Sequence, residues 1–96
     1  MKPSEALETK REALRQLISR YNVSHPRVFG SVLTGKDTED SDLDLLVEPL
    51  KGTTLFTLAG LQHEAEDLLG VRVSVLTPKF LPPKFRAQAL AQARPL

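Results

Sequence analysis

Apolar residues recur along the chain with two different periods. From Ser4 to Tyr21, Leu7, Leu14, Leu17, Ile18 and Tyr21 return at helical spacing, separated by Glu5, Glu8, Lys10, Arg11, Glu12, Arg15 and Arg20. This predicts an amphipathic helix with one buried stripe. Asn22 to Pro26 carries turn and breaker residues, and Arg27-Val28-Phe29 reads as a short strand that stops at Gly30, where the chain must turn sharply. A small segment from Ser31 to Gly35 leads into a polar loop from Lys36 to Ser41. Asp42 to Glu48 alternates at first and then becomes continuously apolar, the pattern of a strand wet at one end and buried at the other. Pro49 to Gly52 ends it. Thr53 or Thr54 can cap a helix running to about Leu69, with Leu55, Leu58, Ala59, Ala65, Leu68 and Leu69 facing inward and Gly70 as its stop. Gly60 weakens the middle of that helix by about 1 kcal/mol relative to alanine. Val71 to Thr77 is β-branched and alternating, hence a second long strand. Pro78 to Pro83 reads as loop, and Lys84 to Arg94 as an alanine-rich helix with Phe85, Ala89 and Ala93 on one side.

Strands separated by helices predict an α/β fold, a small mixed sheet with helices packed against it. The length of 96 residues allows one core and leaves no room for another, so residues 1–96 are expected to form one domain. A hydrophobic share of 41% with 26% charged residues is that of a soluble globular domain. The net charge of +1 gives no field that would attract nucleic acid, and there is no basic stripe with interleaved aromatics, so neither a nucleic-acid ligand nor template-directed polymerisation is expected. The absence of cysteine removes disulfides, thiolate metal sites and thiol nucleophiles, and together with the absence of any long apolar run it leads us to expect a cytoplasmic protein with no membrane partner. His25 and His63, neither paired with another metal-binding side chain, read as surface residues.

The chemistry concentrates in two places. Asp42 and Asp44, two apart on a strand, project from the same face and lie close enough to share a cation. Magnesium suits such a pair, because it takes one or two carboxylates and fills its other positions with water and phosphate oxygens. Taken alone, the same residues fit a solvated strand end in which Ser41 and Asp42 make turn contacts. Gly30-Ser31, at a strand-to-helix turn, aims backbone N–H groups and a hydroxyl at one point, an arrangement that serves phosphate or simply caps a helix.

Taken together, Gly30-Ser31, ten intervening residues and Asp42-x-Asp44, with Val28-Phe29 before the glycine and Leu45-Leu46-Val47 after the acids, resemble the minimal nucleotidyltransferases of the DNA polymerase β superfamily. The Leu69-Gly70-Val71 turn and the Leu81-Pro82-Pro83 stretch before the last helix extend the resemblance over nearly the whole chain. It implies the polymerase β-like nucleotidyltransferase fold, with Gly30 and Ser31 binding the nucleotide's phosphates and Asp42 and Asp44 as catalytic magnesium ligands. It also implies transfer of a nucleoside monophosphate, AMP from ATP, to an acceptor hydroxyl. Small relatives of this kind are often antitoxins of HEPN-domain toxins, so a toxin protein is the expected partner and acceptor, in a hetero-oligomer. The chain departs from the family in two places. Ser74, in Val73-Ser74-Val75-Leu76-Thr77, stands where relatives carry a third acid, and a hydroxyl of ordinary acidity replaces neither a ligand nor a base. Val32-Leu33-Thr34 lacks an arginine that many relatives have after Gly-Ser; Lys36 fits equally a substitute for it or a surface lysine. Glu48 lies about 13 Å along the strand from Asp44, too far to share its metal. Glu64, Glu66 and Asp67 read as the wet side of a helix. An alternative follows from Ser74: an antitoxin or assembly subunit that binds nucleotide and neutralises its partner by covering it.

Overall fold

The computed structural model describes all 96 residues. In chain order the elements are α1 (Pro3–Ser19), β1 (Val23–Phe29), α2 (Ser31–Thr34), β2 (Leu43–Pro49), α3 (Leu55–Leu69), β3 (Val73–Leu76), a 3-10 turn at Pro78–Phe80, α4 (Pro83–Gln92) and β4 (Arg94–Pro95). The four strands form one mixed sheet in the order β3-β2-β1-β4. β1 lies antiparallel to β2 and β4, and β2 lies parallel to β3 across the α3 crossover.

Strand alternation gives the sheet two unlike faces. Leu43, Leu45 and Val47 of β2 point into the main core, where they meet Leu14, Leu17 and Ile18 of α1, Leu58, Leu61, Ala65 and Leu69 of α3, and Val73 and Val75 of β3. Asp44, Leu46 and Glu48 point the other way. Leu46 is fully buried yet lies outside that core cluster, so the second face has its own smaller apolar patch. Beside it, buried Arg27 pairs with Glu48 at 2.6 Å.

Three side chain–backbone hydrogen bonds complete the frame. α1 begins at Pro3 with no side-chain cap of its own, and Asp37, distant in sequence and buried, accepts the Ser4 N–H at 2.9 Å. This donor holds the Asp37 carboxyl below its ordinary range, ahead of the opposing effect of burial. On the edge strand β3, the Val73 and Val75 N–H groups donate to Glu66 Oε2 and Gln62 Oε1 of α3, at 3.0 and 3.2 Å. Those side chains blunt an edge that would otherwise offer itself to another strand.

The structure corrects the sequence expectations in six places. β1 begins at Val23, so the expected turn over Asn22–Pro26 is mostly strand; the register shifts between Ser24 and Arg27, and His25 takes φ 55°. That irregularity spares the ladder the N–H that Pro26 lacks. β3 is shorter than expected, Val73–Leu76. In α3, Leu55 is 68% exposed and Ala59 is also exposed, whereas Leu61, not on the expected stripe, is fully buried. The inward line runs through Leu58, Leu61, Ala65 and Leu69, and Leu55 at the first turn faces a recess with Thr77 and Phe80 instead. Phe85 of α4 is 53% exposed rather than inward-facing. Finally, the helix expected to Arg94 stops at Gln92, because a residue before proline disfavours helical backbone. Arg94–Pro95 extends alongside β1 instead and Leu96 is buried, its N–H donating to Pro26 O at 3.0 Å. Glu66 likewise serves the β3 edge rather than only solvent.

Candidate active site

One row of residues crosses three strands. Phe29 at the end of β1 pairs with Asp44 of β2, and Asp44 pairs with Ser74 of β3, all on the sheet face opposite the main core. Gly30 follows Phe29 directly and takes φ 82°, ψ −152°, before the one-turn helix α2 begins at Ser31. Glycine is required here twice over. The positive φ disfavours any side chain, and a Cβ would collide with the Asp44 carboxylate, whose Cγ would lie 3.2 Å away. The turn and the acid are therefore in direct contact. Leu33 N–H donates to Gly30 O and Lys36 N–H to Ser31 O, each at 3.1 Å, which fixes the turn while the first N–H groups of so short a helix have no partner within it.

Asp42 sits just before β2, at the end of a loop fastened by the Thr38 N–H donating to Ser41 Oγ at 2.8 Å. Ser41 thus makes the expected turn contact, while Asp42 turns to the strands. Its Oδ1 lies 3.1 Å from Arg72 Nε, and its Oδ2 accepts from Ser74 Oγ at 3.3 Å. Arg72 also donates to the Asp40 carbonyl. Asp44 is different. Partial burial, and after it the like charge of Asp42, push its carboxyl up to about 6, and no hydrogen-bond donor offsets either effect.

The residues named from sequence are thus brought together: Gly30, Ser31, Asp42, Asp44 and Ser74 converge at one end of the sheet. Lys36 is exposed on the loop, and Glu48 is committed to Arg27. No group of three or more acidic or imidazole side chains forms anywhere, so no acid takes the place left by Ser74. Sequence reasoning missed Arg72. The signal was present in the alternation Arg72-Val73-Ser74, which puts the arginine and the serine on one side of the strand. The donor set suits magnesium, since Asp44 has a charge no protein group satisfies and borders a turn able to hold the phosphate oxygens that would complete the shell.

Comparison with known proteins agrees with this geometry. Residues 7–96 match the family described as Nucleotidyltransferase domain. A candidate protein adenylyltransferase of Methanocaldococcus jannaschii is 35% identical over 86 residues, covering 90% of this chain and 91% of the relative. The protein adenylyltransferase MntA of Thermococcus cleftensis is 37% identical over 62 residues, covering 65% of this chain and 63% of that protein. Among solved structures, one described as a minimal nucleotidyltransferase superposes with a TM-score of 0.85 at 46% identity, covering 97% of this chain and 95% of the other. A toxin–antitoxin complex with AMP-PNP shares the fold at a TM-score of 0.75 and 16% identity, covering 88% of this chain and 69% of the other. Fold, motif spacing and relatives of comparable length converge, and the chain belongs to the nucleotidyltransferase domain family, among its minimal nucleotidyltransferases.

Proposed function

We propose that this domain transfers a nucleoside monophosphate, AMP from ATP, to a hydroxyl of a partner HEPN-type toxin and thereby acts as its antitoxin. The observation that carries the reading is the contact between Gly30 and Asp44. A triphosphate held on the Gly30-Ser31 turn would lie directly over the carboxylates, which is the positioning that phosphoryl transfer needs. In this reading the N–H groups of the turn and the Ser31 hydroxyl bind phosphate oxygens, and Asp42 and Asp44 hold magnesium. The bound cation would neutralise charge on the phosphates during transfer. Asp44, having no protein donor, is the freer ligand; Asp42 is held in place by Arg72 and Ser74. Relatives named as protein adenylyltransferases support a protein acceptor, and the fold's occurrence in toxin–antitoxin complexes supports a toxin as that protein. One domain suffices for this role if the partner brings its own nucleophile.

A second reading is favoured by one observation, the hydroxyl of Ser74 at the position paired with Asp44. With no third carboxylate to take the acceptor's proton, the protein would hold its nucleotide and neutralise the toxin by covering it.

Intact-mass analysis separates the two. A purified candidate toxin is incubated with the protein, ATP and magnesium, with Asp42→Asn/Asp44→Asn as control. A gain matching one or more AMP groups, absent with the double variant, establishes the transferase. A stable complex with magnesium-dependent ATP binding but unmodified toxin refutes transfer to that toxin and leaves the binding reading.

A further inference from the structure

Charge around the acidic pair is unevenly distributed. Asp44 lies against Gly30, so its side of the pair faces the phosphate turn. On the β3 side, Asp42 is occupied at both oxygens, by Arg72 Nε at 3.1 Å and Ser74 Oγ at 3.3 Å. Arg72 is anchored again through the Asp40 carbonyl. We propose that the site holds one divalent cation with its nucleotide, and that Arg72, exposed but paired with Asp42, places a positive charge where a second would bind. The proposal rests on the nucleotide reading above and adds the metal count to it.

Two cations that serve the attacking and leaving oxygens sit about 3.5–4 Å apart. Each also needs ligands of its own besides any carboxylate they share. Asp42 and Asp44 bring two negative charges and Arg72 returns one positive, so the three leave a single net negative charge. No further acid or imidazole joins them. A first cation on the Gly30 side finds Asp44, an oxygen of Asp42 and phosphate oxygens. A second on the β3 side would find only the neutral Ser74 hydroxyl, close to both a guanidinium and the first cation. Arginine cannot relieve that repulsion by losing its proton, as a lysine could. Arg72 is in this sense a positioning residue: it holds Asp42 toward the first cation and excludes the second.

Manganese is the probe, together with an ATP analogue whose α,β-bridging oxygen is replaced by methylene. Equilibrium dialysis counts manganese per chain in the ternary complex, and electron paramagnetic resonance detects spin coupling between two close ions. The wild type is expected to hold one uncoupled ion, and Arg72→Gln/Ser74→Asp two coupled ions. Ser74→Asp alone, with the guanidinium still present, is expected to take the second ion at least tenfold more weakly than the double variant. Two coupled ions in the wild type overturn the proposal. So does a folded double variant that still holds one, or Ser74→Asp alone binding two as tightly as the double variant. The wild-type arm decides the metal count even if the double variant fails to fold. A wild type that retains no analogue overturns the nucleotide reading itself, and the metal count with it, an outcome distinct from the other three.

Discussion

Asp44→Asn should make the protein more stable while removing its proposed function. The carboxyl holds its proton up to about 6 in the folded protein against an ordinary value of 3.8. Between those values the folded state binds more protons than the unfolded state, so stability falls as pH rises from about 4 to about 6 and stays lower above that. A shift of about two pH units corresponds to about 3 kcal/mol as an upper bound. The side chain is only partly buried, and solvent screening reduces the expected effect to about 1 kcal/mol. Asparagine has nearly the same shape, carries no charge and sits against Gly30 without adding a heavy atom. For a domain of this size 1 kcal/mol corresponds to a Tm increase of about 4–8 °C.

The assay is thermal unfolding by circular dichroism, in chelator, at pH 7.5 and pH 4. The gain should be present at pH 7.5 and nearly gone at pH 4, where wild-type Asp44 is protonated when folded. Adding magnesium and ATP should raise the wild-type Tm, because a ligand that binds only the folded state stabilises it, and leave the variant's almost unchanged. An Asp44→Asn protein with unchanged or lower Tm at pH 7.5 would refute the argument from burial and like charge. An equal gain at pH 4 would show that its cause is not ionisation.

Other substitutions test other parts of the frame. Gly30→Ala forces a Cβ onto the Asp44 carboxylate at a positive φ, and should cost about 1–3 kcal/mol in urea unfolding and abolish ATP retention in a filter assay. Asp37→Asn should cost about 0.5–2 kcal/mol at pH 7 through the lost charge at the start of α1; because the folded carboxyl is held below 3.8, the wild-type advantage is complete above that value and should vanish as pH falls through the lowered one. Leu96→Ala should cost about 2 kcal/mol if β4 and its buried neighbour close the sheet, and an unchanged urea midpoint would mean that they do not.

The main core was legible because it rests on periodicity. The α1 stripe, the apolar run of β2 and the capped α3 from Thr54 to Gly70 are all local patterns, and the structure has them where the sequence places them. The misses share a physical cause, which is that the deciding partner is distant in sequence. Pro26 reads as a breaker until a bulge accommodates it, and Arg94 reads as helix until Pro95 and the open edge of β1 draw it into the sheet. Leu55 and Leu61 have the same side chain and both fit a helical stripe; only the placement of α3 over the sheet decides which one is buried. At the candidate site, spacing singled out the glycine, the serine and both acids, but it could not show that Asp42 faces Arg72 while Asp44 faces Gly30.

That asymmetry follows from how the sheet separates its tasks. Leu43, Leu45 and Val47 hold β2 in the core through one face, and Asp44 projects from the other between Phe29 and Ser74. A change at 74 therefore alters the chemistry of the row without touching the core contacts of Val73 and Val75 on either side of it. The fold tolerates serine there because the hydroxyl has a use, donating to Asp42, and the loss of a negative charge eases a crowded acidic pair. What the fold does not tolerate is a side chain at Gly30, where the turn and the acid touch. The core contacts of β2 and β3 thus rest on different residues from the row that carries Asp44 and Ser74, so the architecture does not depend on an acid at position 74.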